Sequence, residues 1–168
     1  MAFGVNNSLP VPPGIGYQPP AMTSASLHRL ARLSWADRAL LAEALAALAL
    51  ASLAIRLLPF KRVVGAASVF GRPSAALPPA DDRIEKTVWA VLAAARRVPW
   101  KTVCFQRGLA VHAMLRRRRV GSLLHYGVAK ADADGLKAHV WVSVADRIIV
   151  GGAEAPDFTC LATYPAVR

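Results

Sequence analysis

Two cysteines and four histidines are the side chains of this sequence best suited to nucleophilic chemistry. Cys104 stands at the head of TVCFQRGLAVHAMLRRRR, whose apolar spacing predicts a helix from Thr102 or Val103 to about Arg118. A thiol in the first turn of a helix meets unpaired N–H groups and the positive end of the dipole, and both favour thiolate. Helical spacing puts Cys104 on one stripe with Gly108, Val111 and Leu115, so the thiol faces inward. Gly108 lets the facing surface come close. Cys160 has no helix start around it and reads as structural.

A cysteine nucleophile needs a base. His28 lies in the region of the N-terminal tail, ahead of the first strong helix. His112 is eight residues along the helix of Cys104, about 12 Å away and out of hydrogen-bond range. His125 and His139 fall in strand-like stretches. His139 alternates with Trp141 and Ser143, and His125 with Leu123 and Gly127. Periodicity does not choose between these two. No CxxC pair or His/Cys spacing suggests zinc, and no metal or cofactor is expected.

The elements that must hold these residues follow from pattern. Residues 1–26 read as a disordered tail, with five prolines and three glycines in the first 20 residues and no signal-peptide pattern. An apolar helical region spans 27–62: Ser34 caps it, Pro59 ends it, and no charge falls between Glu43 and Arg56. Twelve uncharged residues are short for a membrane span, which wants about 20. A buried or interface helix is therefore expected, with membrane-surface association through 39–62 as the alternative, helped by Arg56, Lys61 and Arg62. Residues 63–80 read as a linker rich in Gly, Ala, Ser and Pro, and 81–168 as the catalytic domain. Within it, Asp81 and Asp82 start a helix to about Arg97, which Pro99 and Trp100 break. The Cys104 helix follows, ending on Arg116–Arg119, with Gly121 as its stop signal. Cations at that end complement the helix dipole, or bind an acidic partner. Strands are expected at 123–128, 138–144 and 147–150, with a polar turn at 130–137 and a hairpin turn at Ala145-Asp146. Helices followed by an antiparallel sheet give an α+β fold.

Apolar residues make up 55% of the chain, which excludes a disordered protein. The net charge of +11 favours acidic partners. No basic stripe interleaved with aromatics is present, so nucleic acid is not expected. Two cysteines make no disulfide framework and fit a reducing, cytoplasmic setting, membrane-associated if the apolar helix meets lipid.

The stretches PWKTVCFQRGLAVHAMLRRRRVGSLLHYGV and KAHVWVSVADRIIVGG resemble the transglutaminase-like B proteins of lasso-peptide biosynthesis. The shared features are a Trp-x-x-x-Cys start, a helix ending in arginines, a strand ending Gly-Val and an Ala-His-x-Trp-Val strand. The likeness covers roughly 84–152, and the upstream helix ending LLPF before a basic pair is similar to the family's N-terminal part. The resemblance implies a transglutaminase-like, papain-like cysteine protease core with an N-terminal helical extension. It selects Cys104 as nucleophile and His139 as base. It further implies a peptidase that removes the leader from a precursor peptide, in the split form that relies on a separate leader-recognition protein and an asparagine-synthetase-like cyclase. Gln106 is a candidate for oxyanion support beside the N–H groups of the helix start.

The family's third member, an acid that orients the histidine, has no counterpart here. Pairing the hairpin as Val144 to Arg147, Val142 to Ile149 and Val140 to Gly151 leaves Gly151 and Gly152 beside His139 where the acid is expected. Asp146, Glu154 and Asp157 are the remaining candidates, and a backbone carbonyl or water is an alternative orienting group. The missing acid also keeps open a non-catalytic transglutaminase-like scaffold subunit of the peptide-maturation complex. A transglutaminase or acyl transferase proper, with an amine in place of water, is a further alternative.

Overall fold

The structure is a computed structural model that describes residues 33–69, 81–130 and 135–165. The expected tail, His28, most of the linker and residues 131–134 of the polar turn lie outside those residues. Among the described residues there are four α-helices: α1 (Trp35–Leu57), α2 (Phe60–Val69), α3 (Asp81–Ala95) and α4 (Cys104–Arg117). They precede an antiparallel sheet of β1 (Ser122–Lys130), β2 (Leu136–Val144), β3 (Arg147–Val150) and β4 (Thr159–Tyr164), in spatial order β3-β2-β1-β4. The expected α+β class is what the chain adopts.

Local chemistry sets the helix limits. Ser34 Oγ accepts from Asp37 N at 3.1 Å and caps α1. Pro59 ends α1, but its carbonyl then accepts from the N–H groups of Arg62 and Val63, so the same residue starts α2. The stretch read as linker is thus helical through Val69, with Val63, Val64 and Ala67 buried. Small residues that look like linker composition here allow close helix packing instead.

The stop of α4 also differs from expectation. Arg119, at φ +60°, takes the left-handed position rather than Gly121. Its N–H reaches Arg116 O, and Val120 N reaches Leu115 O, which together satisfy the last carbonyls of the helix. Burial of Val120 covers the energetic cost of a non-glycine residue at that φ.

Three of the four arginines in the run are engaged by contacts within the protein. Arg117 and Arg118 both pair with Glu43 of α1, at 2.7 and 2.6 Å, and buried Arg116 donates to Ser68 O of α2 at 2.8 Å. These contacts dock α1 and α2 onto α4. His112, fully buried, joins the same seam: its Nε2 lies 3.1 Å from Ser68 Oγ and its Nδ1 3.0 Å from Ser122 Oγ. Ser68 Oγ already donates to Val64 O, so His112 Nε2–H is the donor in the first contact and Ser122 Oγ–H in the second.

The sheet presents two different faces. Ser122, Leu124 and Tyr126 of β1, with Val140, Val142 and Val144 of β2, face the helices. His125, Gly127, His139, Trp141 and Ser143 face the other way. The β2–β3 hairpin pairs Val144 with Arg147 as expected. A bulge between Val142 and Ser143 then sets Val142 against Val150, one residue off the expected Ile149. The strand β4 was not anticipated. It is a short edge strand, exposed over its first half, whose pairing with β1 is shifted by a bulge between Tyr126 and Gly127, and that interrupts the alternation a strand is read from.

Gly108 is the closest point between α4 and the sheet. A Cβ at this position would lie 2.8 Å from Val140 Cγ1. Valine is stiff at χ1 and Val140 is 1% exposed, so neither side can yield cheaply. Gly108→Val is expected to cost about 1–3 kcal/mol in chemical unfolding through overpacking; an unchanged midpoint would show that the contact is slack. His112 gives a second expectation. Burial, aided by the nearby charges of Arg116 and His125, lowers its pKa to about 4. The unfolded chain therefore binds the extra proton between about pH 6.5 and 4, and stability falls as pH drops through that window, by about 3 kcal/mol in all. Unfolding free energies measured from pH 7 to 4 should show this slope, and His112→Gln should flatten it.

Candidate active site

Cys104 is the first residue of α4, and the loop that delivers it is pinned twice. Trp100 Nε1 donates to Ser52 Oγ of α1 at 3.1 Å. Arg107 reaches back to Thr102, with Nη2 to the carbonyl at 2.7 Å and Nε to Oγ1 at 3.2 Å. The tryptophan four residues before the cysteine thus anchors the entry to α4. Val103, the N-cap residue, has no polar side chain, so the N–H groups of the first turn of α4 have no side-chain cap. Gln106 Oε1 instead accepts from Val103 N at 2.9 Å. That contact holds the Gln106 carboxamide at the helix start and gives it a capping role.

The helix direction places Cys104 relative to His139. Gly108 lies over Val140 and Val142, and His112 meets Ser122, which pairs with Val144. So α4 advances along β2 in the same sense as the strand. Cys104, one turn or about 6 Å before Gly108, comes to the end of β2 that carries His139. The thiol is half-buried. No hydrogen bond joins Cys104 to His139 among the described residues. His139 is directed to the face away from α4, as its alternation with Val140 requires.

His139 is 7% exposed and held on three sides. Its ring stacks on Trp141 with centroids 6.1 Å apart and meets Phe158 at 5.0 Å. Its Nε2 lies 2.9 Å from Gly151 O. A carbonyl only accepts, so Nε2 carries the proton and Nδ1 is left as the basic nitrogen. Glu154 Oε2 is 3.8 Å from the same Nε2 and its side chain is 62% exposed, too far for a hydrogen bond. Asp146 is exposed in the hairpin turn, and Asp157 is exposed in the 3₁₀ turn Ala155–Asp157. Neither contacts His139 among the described residues. The position expected for the acid is thus filled by a glycine that offers its backbone oxygen.

His125 has partners of its own. Its Nε2 lies 2.8 Å from Ser143 Oγ and its Nδ1 3.1 Å from Thr163 Oγ1, and burial lowers its pKa. Both nitrogens are occupied, so it is a structural residue of the outer sheet face. Cys160, read as structural, lies exposed on β4, with only weak contacts to Ala162 O and Thr163 Oγ1.

Next to the cysteine is an apolar cleft of about 260 Å³ lined by Ile55, Phe60, Phe105 and Tyr126. Phe60 packs on Phe105 and Tyr126 at 4.7 and 5.0 Å between centroids. Phe105 follows Cys104 in α4, and Tyr126 pairs with Val140, the neighbour of His139. Sequence periodicity missed this cleft because Phe60 follows Pro59, where the apolar helix was expected to end, and instead opens a second helix, α2.

Gly151 has φ +75°, and a Cβ there would lie 2.7 Å from Val140 O and 3.1 Å from His139 Nε2. Gly151→Ala is expected to destabilise the fold by about 1–3 kcal/mol, and Gly151→Asp to do no better despite restoring a carboxylate. Thermal unfolding of both variants checks this; wild-type stability in Gly151→Asp would refute it.

No curated protein and no solved structure matches the chain. A family model described as the transglutaminase-like superfamily matches residues 47–163, from the middle of α1 to β4. The match covers more than half of the sequence and takes in α4, the His139 strand and the Gly151 turn, so the chain belongs to the transglutaminase-like superfamily, whose members are often cysteine peptidases or transferases.

Proposed function

We propose that this chain is a cysteine peptidase that removes the leader from a lasso-peptide precursor. The observation that supports the reading is a cysteine at the uncapped start of α4, one turn before the Gly108 contact with β2, the strand that also carries His139. The motif resemblance, from Trp100 to the AHVWV strand, narrows the substrate from peptides in general to a precursor peptide. A separate leader-recognition protein presents that precursor, and an asparagine-synthetase-like cyclase consumes the product in the cytoplasm.

In this mechanism His139 Nδ1 takes the thiol proton through water, since the ring and α4 lie on opposite faces of the sheet, while Gly151 O holds Nε2–H and fixes the tautomer. The Cys104 thiolate attacks the scissile carbonyl. The free N–H groups at the head of α4 receive the oxyanion. His139 returns the proton to the leaving amine, which departs and leaves a thioester on Cys104. Water, deprotonated by the same nitrogen, then hydrolyses the thioester. The Ile55–Phe60–Phe105–Tyr126 cleft takes an apolar side chain flanking the scissile bond.

A second reading, a non-catalytic scaffold subunit, has two observations in its favour: the acid is replaced by Gly151, and no bond joins Cys104 to His139. Cleavage of precursor by the chain with its recognition protein, followed by mass spectrometry, separates the two. Cys104→Ala and His139→Ala are each expected to lower the rate about 10³-fold or more. Glu154→Gln should stay within about tenfold, since a carbonyl orients the base. Absence of cleavage by the wild-type chain would leave the scaffold reading standing, and cleavage that survives Cys104→Ala would overturn the cysteine mechanism.

A further inference from the structure

Among the described residues α1 has an apolar face without a partner, and we propose that this face lies flat on an anionic lipid surface. The helix is long and apolar enough to cross a membrane by length and composition, yet only 17% of its most apolar stretch is buried. The buried share is one stripe, Leu41, Ala44, Leu48 and Ala51, packed on α3 and α4. At 100° per residue the opposite side carries Trp35, Ala42, Ala46, Ala49, Leu53 and Leu57. Trp35, Leu53 and Leu57 are 83, 53 and 70% exposed, and Leu50 beside them 66%. A soluble helix ordinarily turns charge to that side.

Charge decides what covers the face. Trp35, an interfacial residue type, sits at the head of the helix. Arg56 ends α1, and Lys61 and Arg62 follow at the start of α2; all three are exposed and make no ion pair among the described residues. No charge interrupts α1 between Glu43 and Arg56, and Glu43 is held by Arg117 and Arg118. A second copy placed on this face would bring two such cationic ends of a +11 chain together. An anionic bilayer neutralises them while the leucines enter the acyl boundary.

The helix lies along the membrane and does not cross it. Its inner stripe is packed into the domain, Glu43 is bridged to α4, and Ser52 holds Trp100. Crossing would strip all of these contacts. The inference stands on α1 and α2 alone and does not depend on the peptidase reading.

Sedimentation of the full chain with vesicles tests it. Vesicles of phosphatidylglycerol and phosphatidylcholine are expected to pull the chain down, and pure phosphatidylcholine to do so about tenfold less well. The pair Leu50→Glu and Leu53→Glu should weaken binding to the anionic vesicles by about tenfold or more, with an unchanged circular dichroism spectrum because both residues are exposed. Reversal of Arg56, Lys61 and Arg62 to Glu should remove only the preference for anionic lipid. A chain that stays in the supernatant, or one whose binding ignores the leucine pair, overturns the proposal. So does a dimer, seen by light scattering, that the leucine pair dissolves without any lipid binding.

Discussion

The close approach of α4 to β2 at Gly108 is the constraint on which the rest of the structure depends. A helix can lie on a sheet at this distance only where it has no side chain, and Gly108 sits over Val140 and Val142. That contact fixes the height of α4. The His112–Ser122 contact one turn on fixes its direction. With both set, the position of the helix start follows: Cys104 reaches the His139 end of the strand because it lies one turn before Gly108. A larger residue at 108 would lift the whole helix and move the thiol with it.

The far end of α4 is held by charge rather than by shape. Arg116, Arg117 and Arg118 bind Ser68 O and Glu43, so α1 and α2 are tied to the same helix that carries Cys104. The basic run therefore has an internal use, and the net charge of the protein overstates how much of it faces outward. Part of this cluster is well screened from water, since Arg118 and Glu43 side chains are 23 and 21% exposed. The neutral His112 beside Arg116 fits that setting, because a second cation there would be repelled and desolvated at once.

Much of the site was legible in the sequence, for physical reasons that differ by element. The start of α4 could be read because helical period and the break at Pro99 leave one phase for the apolar stripe. The glycine at the acid position could be read because a tight hairpin at Ala145-Asp146 nearly fixes the register. The one-residue bulge at Val142 and Ser143 could not, since a bulge leaves no mark on alternation over four residues. α2 was hidden because Gly, Ala and Ser serve linkers and close-packed helices alike. β4 was hidden by its own bulge, and the end of α4 by an arginine in a glycine's role. The choice of His139 over His125 was not open to periodicity at all. Their partners differ among the described residues: both nitrogens of His125 are bonded, and His139 is bonded through Nε2.

The substitution of a carbonyl for a carboxylate beside His139 has a definite chemical meaning under the peptidase reading. A carboxylate does two things for such a histidine: it fixes the tautomer, and its charge stabilises the imidazolium that forms when the thiol gives up its proton. Gly151 O, at 2.9 Å, does the first fully and the second only through its dipole. The rings of Trp141 and Phe158 pack against the histidine and help to hold its orientation. Glu154, at 3.8 Å and mostly in water, is beyond hydrogen-bond range of the ring. A thiol is the nucleophile for which this reduced support suffices, because it is far more acidic than a serine hydroxyl and asks less of its base. The loss of the acid is thus compatible with cysteine chemistry on this fold, where it would not be with a serine in the place of Cys104.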